Sequence, residues 1–330
     1  MSDETCKKCS YQPLGNGQAA CAGCTINQVV EPVVLGAPQP KHVVIVGASG
    51  CSIVAQYIFP LNSWQNNFTH VIFETTGGVM TGMHKAIEWQ RKQGLIPKDA
   101  DIRVLGIAGD GATFDIGSGS LSGWLDRGDP GVYLCYDNNG YQNTGTQRSA
   151  SAPIGAHTTT TPRGYLASPN SQGKDLILFA VAHPALAYAA VTTISTIWPH
   201  DIEYKAREAF AADGPAIIHA ISPCPRGWGY PADKARNIGD IGIETGAIPL
   251  YHVKKVGLDH LWYLDFLPER YKEFWYGGEI RQDIHPIVEW VRSQGRFKDI
   301  LADPAKMEGY QNRVDHKWKQ LRRICEPYGS

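Results

Sequence analysis

Two loops that combine glycine with oxygen-bearing side chains constrain the fold of this chain more than any other feature. The first reads Gly109-Asp110-Gly111, the second begins Asp137-Asn138-Asn139-Gly140, and 26 residues separate Gly111 from Asn138. Each loop follows an apolar run typical of a buried strand, at residues 102–107 and 131–136. The carboxyl ends of parallel strands meet at one edge of a sheet, so we expect the two loops to lie side by side there.

The side chains of these loops suit a diphosphate that is bound through a divalent metal. Asp110 offers a carboxylate and Asn138 an amide oxygen, which are hard ligands that Mg²⁺ accepts alongside phosphate and water. Gly109 and Gly111 let the backbone approach a ligand closely, and the N-terminus of the helix that follows favours an anion. Gly-Asp-Gly alone is also common as an ordinary turn with a capping aspartate. The second loop at this spacing favours the functional interpretation.

Short apolar runs alternate with helical patterns through most of the chain. Continuous apolar strands connected by helices are typical of a parallel sheet covered on both faces, so we predict an α/β fold. The predicted strands are 42–47, 70–73, 102–107, 131–136, 188–192 and 216–220, and the predicted helices are 25–35, 79–93, 117–127, 175–183 and 201–211. One site is predicted at the carboxyl edge of this sheet, because four metal-binding side chains follow its strands. They are Cys51, Asp110, Asn138 and Cys224.

Three segments are expected along the chain. Residues 1–19 form an N-terminal tail that contains cysteines, residues 20–250 form the domain that carries the site, and residues 251–330 form a C-terminal extension. The alternation of strands and helices weakens after about residue 251, and an amphipathic pattern at 312–324 predicts a terminal helix. We expect the extension to pack on the domain or on a partner.

Composition and charge exclude several classes of protein. The formal net charge is −1 and no long basic run occurs, so we expect no nucleic-acid partner. The first ten residues are polar and are not a signal peptide. The most apolar stretch, 176–191, is interrupted by His183 and Pro184 and is too short to span a membrane. Eight cysteines without a secretory signal favour metal ligation in a cytoplasmic protein over disulfides.

A longer string carries a resemblance to a known family. Residues 136–149 read Tyr-Asp-Asn-Asn-Gly-Tyr-Gln-Asn-Thr-Gly-Thr-Gln-Arg-Ser. Together with Gly-Asp-Gly at 109–111, this string resembles the β subunit of 2-oxoacid:ferredoxin oxidoreductases, nearest the pyruvate type. The resemblance continues through 158–162, through Pro-Cys-Pro-Arg-Gly-Trp at 223–228 and through 244–251, and it covers roughly residues 20–255.

The resemblance implies a thiamine diphosphate-binding fold with helices on both faces of a parallel sheet. It implies that Mg²⁺ is held by Asp110, Asn138 and the backbone carbonyl of Gly140, with Gly109 and Gly111 against the coenzyme. Asn143 is expected to reach over the thiazolium toward the substrate, which makes it the candidate catalytic residue. In 2-oxoglutarate-type relatives the corresponding position tends to be apolar, so Asn143 favours the pyruvate type.

The cysteines allow two assignments. By resemblance, a 4Fe–4S cluster is bound by Cys21, Cys24, Cys51 and Cys224. The spacing alone also allows a local zinc or iron site, because Cys6 and Cys9 form a second Cys-x-x-Cys pair ahead of Cys21 and Cys24. That local site would leave Cys51 and Cys224 unexplained, so the cluster is the favoured interpretation. The two remaining cysteines, Cys135 and Cys325, are expected to be ordinary buried thiols.

The activity implied by the resemblance is the oxidative decarboxylation of a 2-oxoacid to an acyl-CoA, with electrons leaving singly through the cluster to ferredoxin or another acceptor. Pyruvate is the default substrate, and phenylglyoxylate or oxalate stays open, with carbon dioxide as the product from oxalate. The resemblance further implies α and γ/δ subunits, because the glutamate that activates the coenzyme comes from the α subunit. Two other functions remain: a non-redox thiamine diphosphate-dependent carboligase or decarboxylase, and a zinc-binding assembly subunit without enzyme activity.

Overall fold

A computed structural model describes residues 11–58, 60–97, 99–164 and 173–326 of the 330-residue chain. Its strands are β1 (Val43–Ala48), β2 (Asn67–Val71), β3 (Arg103–Gly109), β4 (Gly131–Asp137), β5 (Tyr188–Thr193), β6 (Pro215–Ile221), β7 (Tyr251–Val256), β8 (Asp259–Leu264) and β9 (Cys325–Glu326). They form one nine-stranded sheet in the order β2-β1-β3-β4-β6-β5-β7-β8-β9. Strands β1 to β6 pair in parallel, as predicted. The mostly parallel α/β fold is confirmed.

Helices cover both faces of the sheet. They are α1 (Ile26–Leu35), α2 (Cys51–Gln56), α3 (Thr76–Lys92), α4 (Ser118–Arg127), α5 (Leu176–Val181), α6 (Asp201–Ala211), α7 (Pro225–Trp228), α8 (Ala235–Glu244), α9 (Glu269–Trp275), α10 (Ile287–Arg292), α11 (Lys298–Leu301) and α12 (Pro304–Ile324). Helices α1, α6, α8 and α10 contribute to one apolar core, and α3, α4, α5 and α12 contribute to the other. Consecutive residues within a strand point alternately into the two cores. In β1, Ile45 belongs to the first core and Val46 to the second.

The apolar runs predicted the central strands to within two residues at each end, whereas the predicted bounds of the edge strand were less accurate. The prediction placed it at residues 70–73, but β2 runs from Asn67 to Val71. All five side chains of β2 are exposed or only half-buried. An edge strand that buries so little needs no apolar run, and the run at 71–73 covers the end of β2 and the start of the turn before α3.

The C-terminal segment continues the sheet. Strand β7 pairs antiparallel with β5, β8 pairs antiparallel with β7, and β9 lies parallel to β8. Helix α12 begins eight residues before the predicted amphipathic pattern, after Asp303, whose carboxylate accepts a hydrogen bond from the backbone N–H of Ala305 at 3.0 Å. Trp318 and Leu321 of α12 are buried in the core. No helix within the described ranges is both long and apolar enough to cross a bilayer.

Candidate active site

A cleft of about 300 Å³ lies at the carboxyl edge of the sheet, beyond the ends of β1, β3 and β4. Parallel sheets bind ligands at this edge, where the loops after adjacent strands diverge. The cleft brings together all six residues that the sequence assigned to the coenzyme. They are Gly109, Asp110, Gly111, Asn138, Gly140 and Asn143.

Three oxygen atoms converge inside the cleft. Oδ1 of Asn138 lies 2.9 Å from the carbonyl oxygen of Gly140 and 3.1 Å from Oδ1 of Asp110. Adjacent ligands of an octahedral Mg²⁺ ion, each about 2.1 Å from the metal, are separated by about 3 Å. With its amide turned over, Asn138 would instead donate a hydrogen bond to each of the other two oxygens. The orientation with the oxygen inward places three acceptors together and fits a divalent cation.

The second oxygen of Asp110 is held by two serines. Oδ2 accepts hydrogen bonds from the hydroxyl of Ser149 and, at 3.1 Å, from that of Ser151. Asp110 is only 1% exposed. Burial, reinforced by the charge of Asp137, raises the pKa of Asp110 well above the usual value of an aspartate. A cation beside Oδ1 would supply the missing positive charge and keep this carboxylate ionised.

Asp137 organises the backbone of the second loop, residues 137–140, which we call the metal loop. Its Oδ1 accepts hydrogen bonds from the backbone N–H of Asn139 at 2.8 Å and from Ser151 at 2.7 Å, and its Oδ2 bonds to Nε2 of His219 at 2.8 Å. Burial raises the pKa of Asp137, but the hydrogen bond and the charge of His219 outweigh it, so the pKa lies below the usual value. The side chain thereby stabilises Asn139 at a φ of 57°, a left-handed conformation that turns the chain toward Gly140.

Tyr141 covers the first glycine-rich loop. A Cβ atom at Gly111 would lie 2.3 Å from the Tyr141 ring, so the close contact requires glycine. The Tyr141 hydroxyl donates to Oδ2 of Asp115 at 3.0 Å. Asp115 belongs to a π-helical turn at Gly111–Ile116, a local widening that is frequent at functional sites. The contact between Gly111 and Tyr141 thus joins the two loops that the sequence paired.

A smaller cavity of about 90 Å³ adjoins the cleft, and Asn138 and Asn143 line both. The structure brings together here the four cysteines that the resemblance assigned to a cluster. They are Cys21, Cys24, Cys51 and Cys224, all of them free thiols.

The four cysteines reach this cavity from three local structures. The backbone N–H of Cys24 donates to the carbonyl of Cys21 at 3.0 Å, closing a turn around Gly23 at a φ of 72°. Cys224 precedes α7, and its sulfur accepts a hydrogen bond from the backbone N–H of Gly227 at 3.4 Å. Cys51 begins α2, and its sulfur accepts a weak hydrogen bond from Nδ2 of Asn138 at 3.7 Å.

Burial is the main influence on the pKa of three of these thiols. Together with the smaller effects of the charges of Cys224 and Cys24, it raises the pKa of Cys51 to about 12. Burial also raises the pKa of Cys24 and of Cys224. Thiols with a raised pKa still ionise when they coordinate a metal, because the thiolate is the ligand.

The four thiols share a cavity without forming a closed set of ligands. No group of three or more His, Cys, Asp or Glu side chains within the part of the chain that the structure describes has the arrangement of a metal site. The cysteine ligand set therefore stays a prediction. Cys6 and Cys9 of the rival zinc site lie outside the described residues.

Four polar residues that support the two loops of the site were not predicted from the sequence: Ser149, Ser151, His219 and Arg296. Ser149 ends the string that carried the family resemblance, which was a usable signal. His219 lies inside β6, 82 residues from its partner Asp137, and nothing in a linear pattern relates the two. Arg296 was missed for the same reason, although its Nη1 donates to Oδ1 of Asn139 at 3.0 Å.

Comparison with known proteins agrees with this geometry. Residues 48–220 match the family model described as "Thiamine pyrophosphate enzyme, C-terminal TPP binding domain". Pyruvate synthase subunit PorB of Pyrococcus horikoshii is 37% identical over 321 residues, which cover 92% of this chain and 92% of that protein. The chain belongs to the family of thiamine diphosphate-binding β subunits of 2-oxoacid:ferredoxin oxidoreductases, nearest the pyruvate type. The resemblance inferred from residues 136–149 is therefore confirmed.

Other members of the family show how far the similarity extends. Ketoisovalerate oxidoreductase subunit VorB of Pyrococcus furiosus is 34% identical over 314 residues, which cover 95% of this chain and 93% of that protein. Among solved structures, a 2-oxoglutarate:ferredoxin oxidoreductase from Magnetococcus marinus matches with a TM-score of 0.51 and 22% identity. The match covers 66% of this chain and 69% of that chain, and it supports the fold alone.

Proposed function

We propose that this chain binds thiamine diphosphate through Mg²⁺ and takes part in the oxidative decarboxylation of a 2-oxoacid to an acyl-CoA, with electrons leaving singly through a 4Fe–4S cluster to ferredoxin. The observation that carries this proposal is the convergence of Asp110, Asn138 and Gly140 oxygens beside a cavity lined by four cysteines. Asn138 joins the two features, because its amide lies against both Asp110 and Cys51.

The two glycine-rich loops would supply the ligands for Mg²⁺ and its diphosphate. Asp110, Asn138 and the carbonyl of Gly140 would hold the Mg²⁺ ion. The coenzyme, when bound, would supply a nucleophilic carbon and an electron sink for decarboxylation. Asn143 lines the same cleft and is exposed, so its amide is free to contact a substrate. The protein's own contribution is to orient these groups and to exclude water from them.

Cys21, Cys24, Cys51 and Cys224 would bind the iron–sulfur cluster. A cluster in this cavity would border the coenzyme cleft, since Asn138 and Asn143 line both. Electrons would then travel only a short distance from the coenzyme to the cluster. The free state of the described cysteines also favours the cytoplasm, where thiols stay reduced.

The chain is proposed to act as one subunit of a complex. Thiamine diphosphate needs a carboxylate beside its aminopyrimidine, and the described residues that line the cleft include no glutamate. We therefore propose that an α subunit supplies it, and that γ/δ subunits and ferredoxin carry the electrons onward. The relatives named as subunits of pyruvate synthase and ketoisovalerate oxidoreductase support this organisation.

The substrate is proposed to be pyruvate. The Asn143 side chain favours it over 2-oxoglutarate, and the relative at 37% identity is named pyruvate synthase. The ketoisovalerate relative, at 34% identity, is nearly as similar, so a branched 2-oxoacid belongs in the same test. Phenylglyoxylate and oxalate are the other two candidate substrates. Oxalate would give carbon dioxide instead of an acyl-CoA.

Anaerobic purification of the native complex tests the proposal. Iron, acid-labile sulfide and thiamine diphosphate are measured first, and reduction of a one-electron dye is then followed with each 2-oxoacid, with and without coenzyme A. The proposal requires bound iron and thiamine diphosphate and dye reduction that depends on a 2-oxoacid. Carbon–carbon bond formation without dye reduction would identify a carboligase instead. Zinc without iron or thiamine would identify the assembly subunit.

The purified chain alone provides the control. It should bind thiamine diphosphate and Mg²⁺ but show little turnover, because the activating carboxylate is missing. Robust 2-oxoacid oxidation by the isolated chain would contradict the subunit organisation while leaving the coenzyme site in place.

A further inference from the structure

A third cavity, of about 240 Å³, borders the metal loop on the side of Asp137. It is lined by Asp137 and Asn139 but not by Asp110, Asn138 or Gly140, so it does not belong to the coenzyme cleft. Much of its wall is apolar. That wall includes Phe114, Leu176, Val191, Ile221, Ile248 and Trp290.

Positively charged side chains outnumber negatively charged ones in the lining of this cavity. Three cations, Lys174, Lys317 and Arg296, line it together with two carboxylates, Asp137 and Asp175. Asp175 pairs with Lys317 at 2.5 Å, which leaves the other two cations without a carboxylate of their own. Among the described residues, Lys174 donates to the backbone carbonyl of Phe114. An excess of positive charge in a partly apolar cavity favours a bound anion.

Asp137 cannot serve as that anion. Its two oxygens already accept four hydrogen bonds, from Asn139, Ser151 and His219. His219 is the fourth basic side chain of the cavity, and its Nε2 is engaged by Asp137 at 2.8 Å. The carboxylate of Asp137 is therefore already paired with Asn139, Ser151 and His219. The positive charges of Arg296 and Lys174 remain available to a ligand in the cavity.

Arg296 is the deepest of the cations. It is 5% exposed, and its guanidinium stacks 3.7 Å above the centre of the Trp228 ring. Nη1 donates to Asn139 at 3.0 Å and Nε donates to Gln294 at 2.9 Å, whereas the buried Nη2 has no acceptor among the described residues. Burial lowers the pKa of Arg296 to about 9, which shows that its neighbours do not fully offset the desolvation of its charge.

We propose that this cavity binds a small organic monocarboxylate, with the carboxylate between Arg296 and Lys174 and a short hydrocarbon body against the apolar wall. The negative charge of a carboxylate would pair with this excess of positive charge. The apolar wall favours an organic acid over inorganic phosphate. The volume lies below that of pockets for drug-sized ligands, so the acid has few carbon atoms.

Calorimetric titration of the purified full-length chain with sodium butyrate tests this site, at constant ionic strength maintained with sodium chloride. Butyramide, a neutral molecule of the same shape, and inorganic phosphate are titrated in parallel. We expect butyrate to bind with a dissociation constant of about 1 mM or tighter, and butyramide at least about tenfold more weakly. Absence of butyrate binding, equal affinity for butyramide, or tighter binding of phosphate would overturn the proposal.

Two variants locate the bound acid. Lys174→Met removes the exposed cation at the cavity and should weaken butyrate about tenfold, whereas Lys319→Met, on the exposed face of α12, should leave its affinity unchanged. Arg296→Gln should abolish binding, with circular dichroism as the check on folding. Saturating thiamine diphosphate and Mg²⁺ should not displace butyrate. Displacement, or equal affinity in Lys174→Met and wild type, would place the acid elsewhere and contradict the assignment.

Discussion

The side-chain amide of Asn138 connects Asp110 to Cys51. Its oxygen lies 3.1 Å from Oδ1 of Asp110, and its nitrogen donates to the sulfur of Cys51 at 3.7 Å. One side chain therefore faces the proposed metal with its acceptor and the proposed cluster ligand with its donor. An aspartate at this position could offer only acceptors, so the amide is the group that suits both neighbours.

Replacement of Asn138 by alanine should weaken the binding of thiamine diphosphate in the presence of Mg²⁺ by at least about tenfold, because the metal loses one of its three protein oxygens. Isothermal titration with the coenzyme at saturating Mg²⁺ measures the effect. Asn67→Ala, at an exposed position of the edge strand β2, is the matched control. Unchanged coenzyme affinity in Asn138→Ala would show that the amide is not a ligand.

Substitution at Gly111 tests the contact between the two loops. A methyl group there would collide with the Tyr141 ring at 2.3 Å, so Gly111→Ala should displace Tyr141 and lower coenzyme affinity by about tenfold or more. Gly119→Ala is the control, because that glycine lies in helix α4 with no atom within 4 Å of the added carbon. The control should retain its affinity and melt at the same or a slightly higher temperature. Equal coenzyme affinity in both variants would contradict the role of the contact.

Single replacements of cysteine by serine separate the two metal assignments. Iron content should fall below half in Cys51→Ser and in Cys224→Ser, because a cluster that loses one thiolate is poorly retained. Cys135→Ser, at a buried strand position away from the cysteine cavity, should retain its iron if it folds. The measurement is iron and sulfide per chain after anaerobic purification. Loss of metal from Cys6→Ser but not from Cys51→Ser would favour the local zinc site.

A buried network of charged side chains away from the site should contribute to the stability of the fold. Nζ of Lys205 lies 2.9 Å from Asp201 and 3.0 Å from Asp265, and Lys205 is fully buried. The Lys205→Met variant removes the cation that pairs with both Asp201 and Asp265. We therefore expect a loss of about 3 to 5 kcal/mol in the free energy of unfolding. Urea unfolding at neutral pH measures it. Lys255→Met, at an exposed position of the neighbouring strand β7, should change stability by less than about 0.5 kcal/mol.

The same network predicts a pH dependence. Burial raises the pKa of Asp265, but the hydrogen bond from His252 and the charge of Lys205 outweigh it, so the folded-state pKa lies below 3.8. Because the pKa is depressed on folding, the stability that Asp265 contributes is present above about pH 4 and is lost as the pH falls through the folded-state value. Asp265→Asn should flatten the fall in unfolding free energy below pH 4. An unchanged slope would show that Asp265 does not carry this linkage.

The sequence alone was sufficient to predict the central strands and the two glycine-rich loops that follow them. The apolar runs of the central strands are buried on both faces, so their composition predicted a parallel sheet and its carboxyl edge. The two glycine-rich loops follow those strands directly, which is why Asp110 and Asn138 could be placed in one site. The edge strand β2 and the β7–β8 hairpin bury less apolar surface on at least one side and carried no such signal.

Only the tertiary structure showed which distant residues support the site. His219 reaches Asp137 from the neighbouring strand β6, and Arg296 reaches Asn139 across 157 residues of sequence. These contacts depend on strand order and on loop packing, which a linear pattern does not encode. The sequence by itself determined which side chains are candidates for binding the coenzyme, because the apolar runs of the strands and the chemistry of the loops are local. The fold decided how those side chains are charged and oriented, because burial and hydrogen bonding depend on neighbours that meet only in three dimensions.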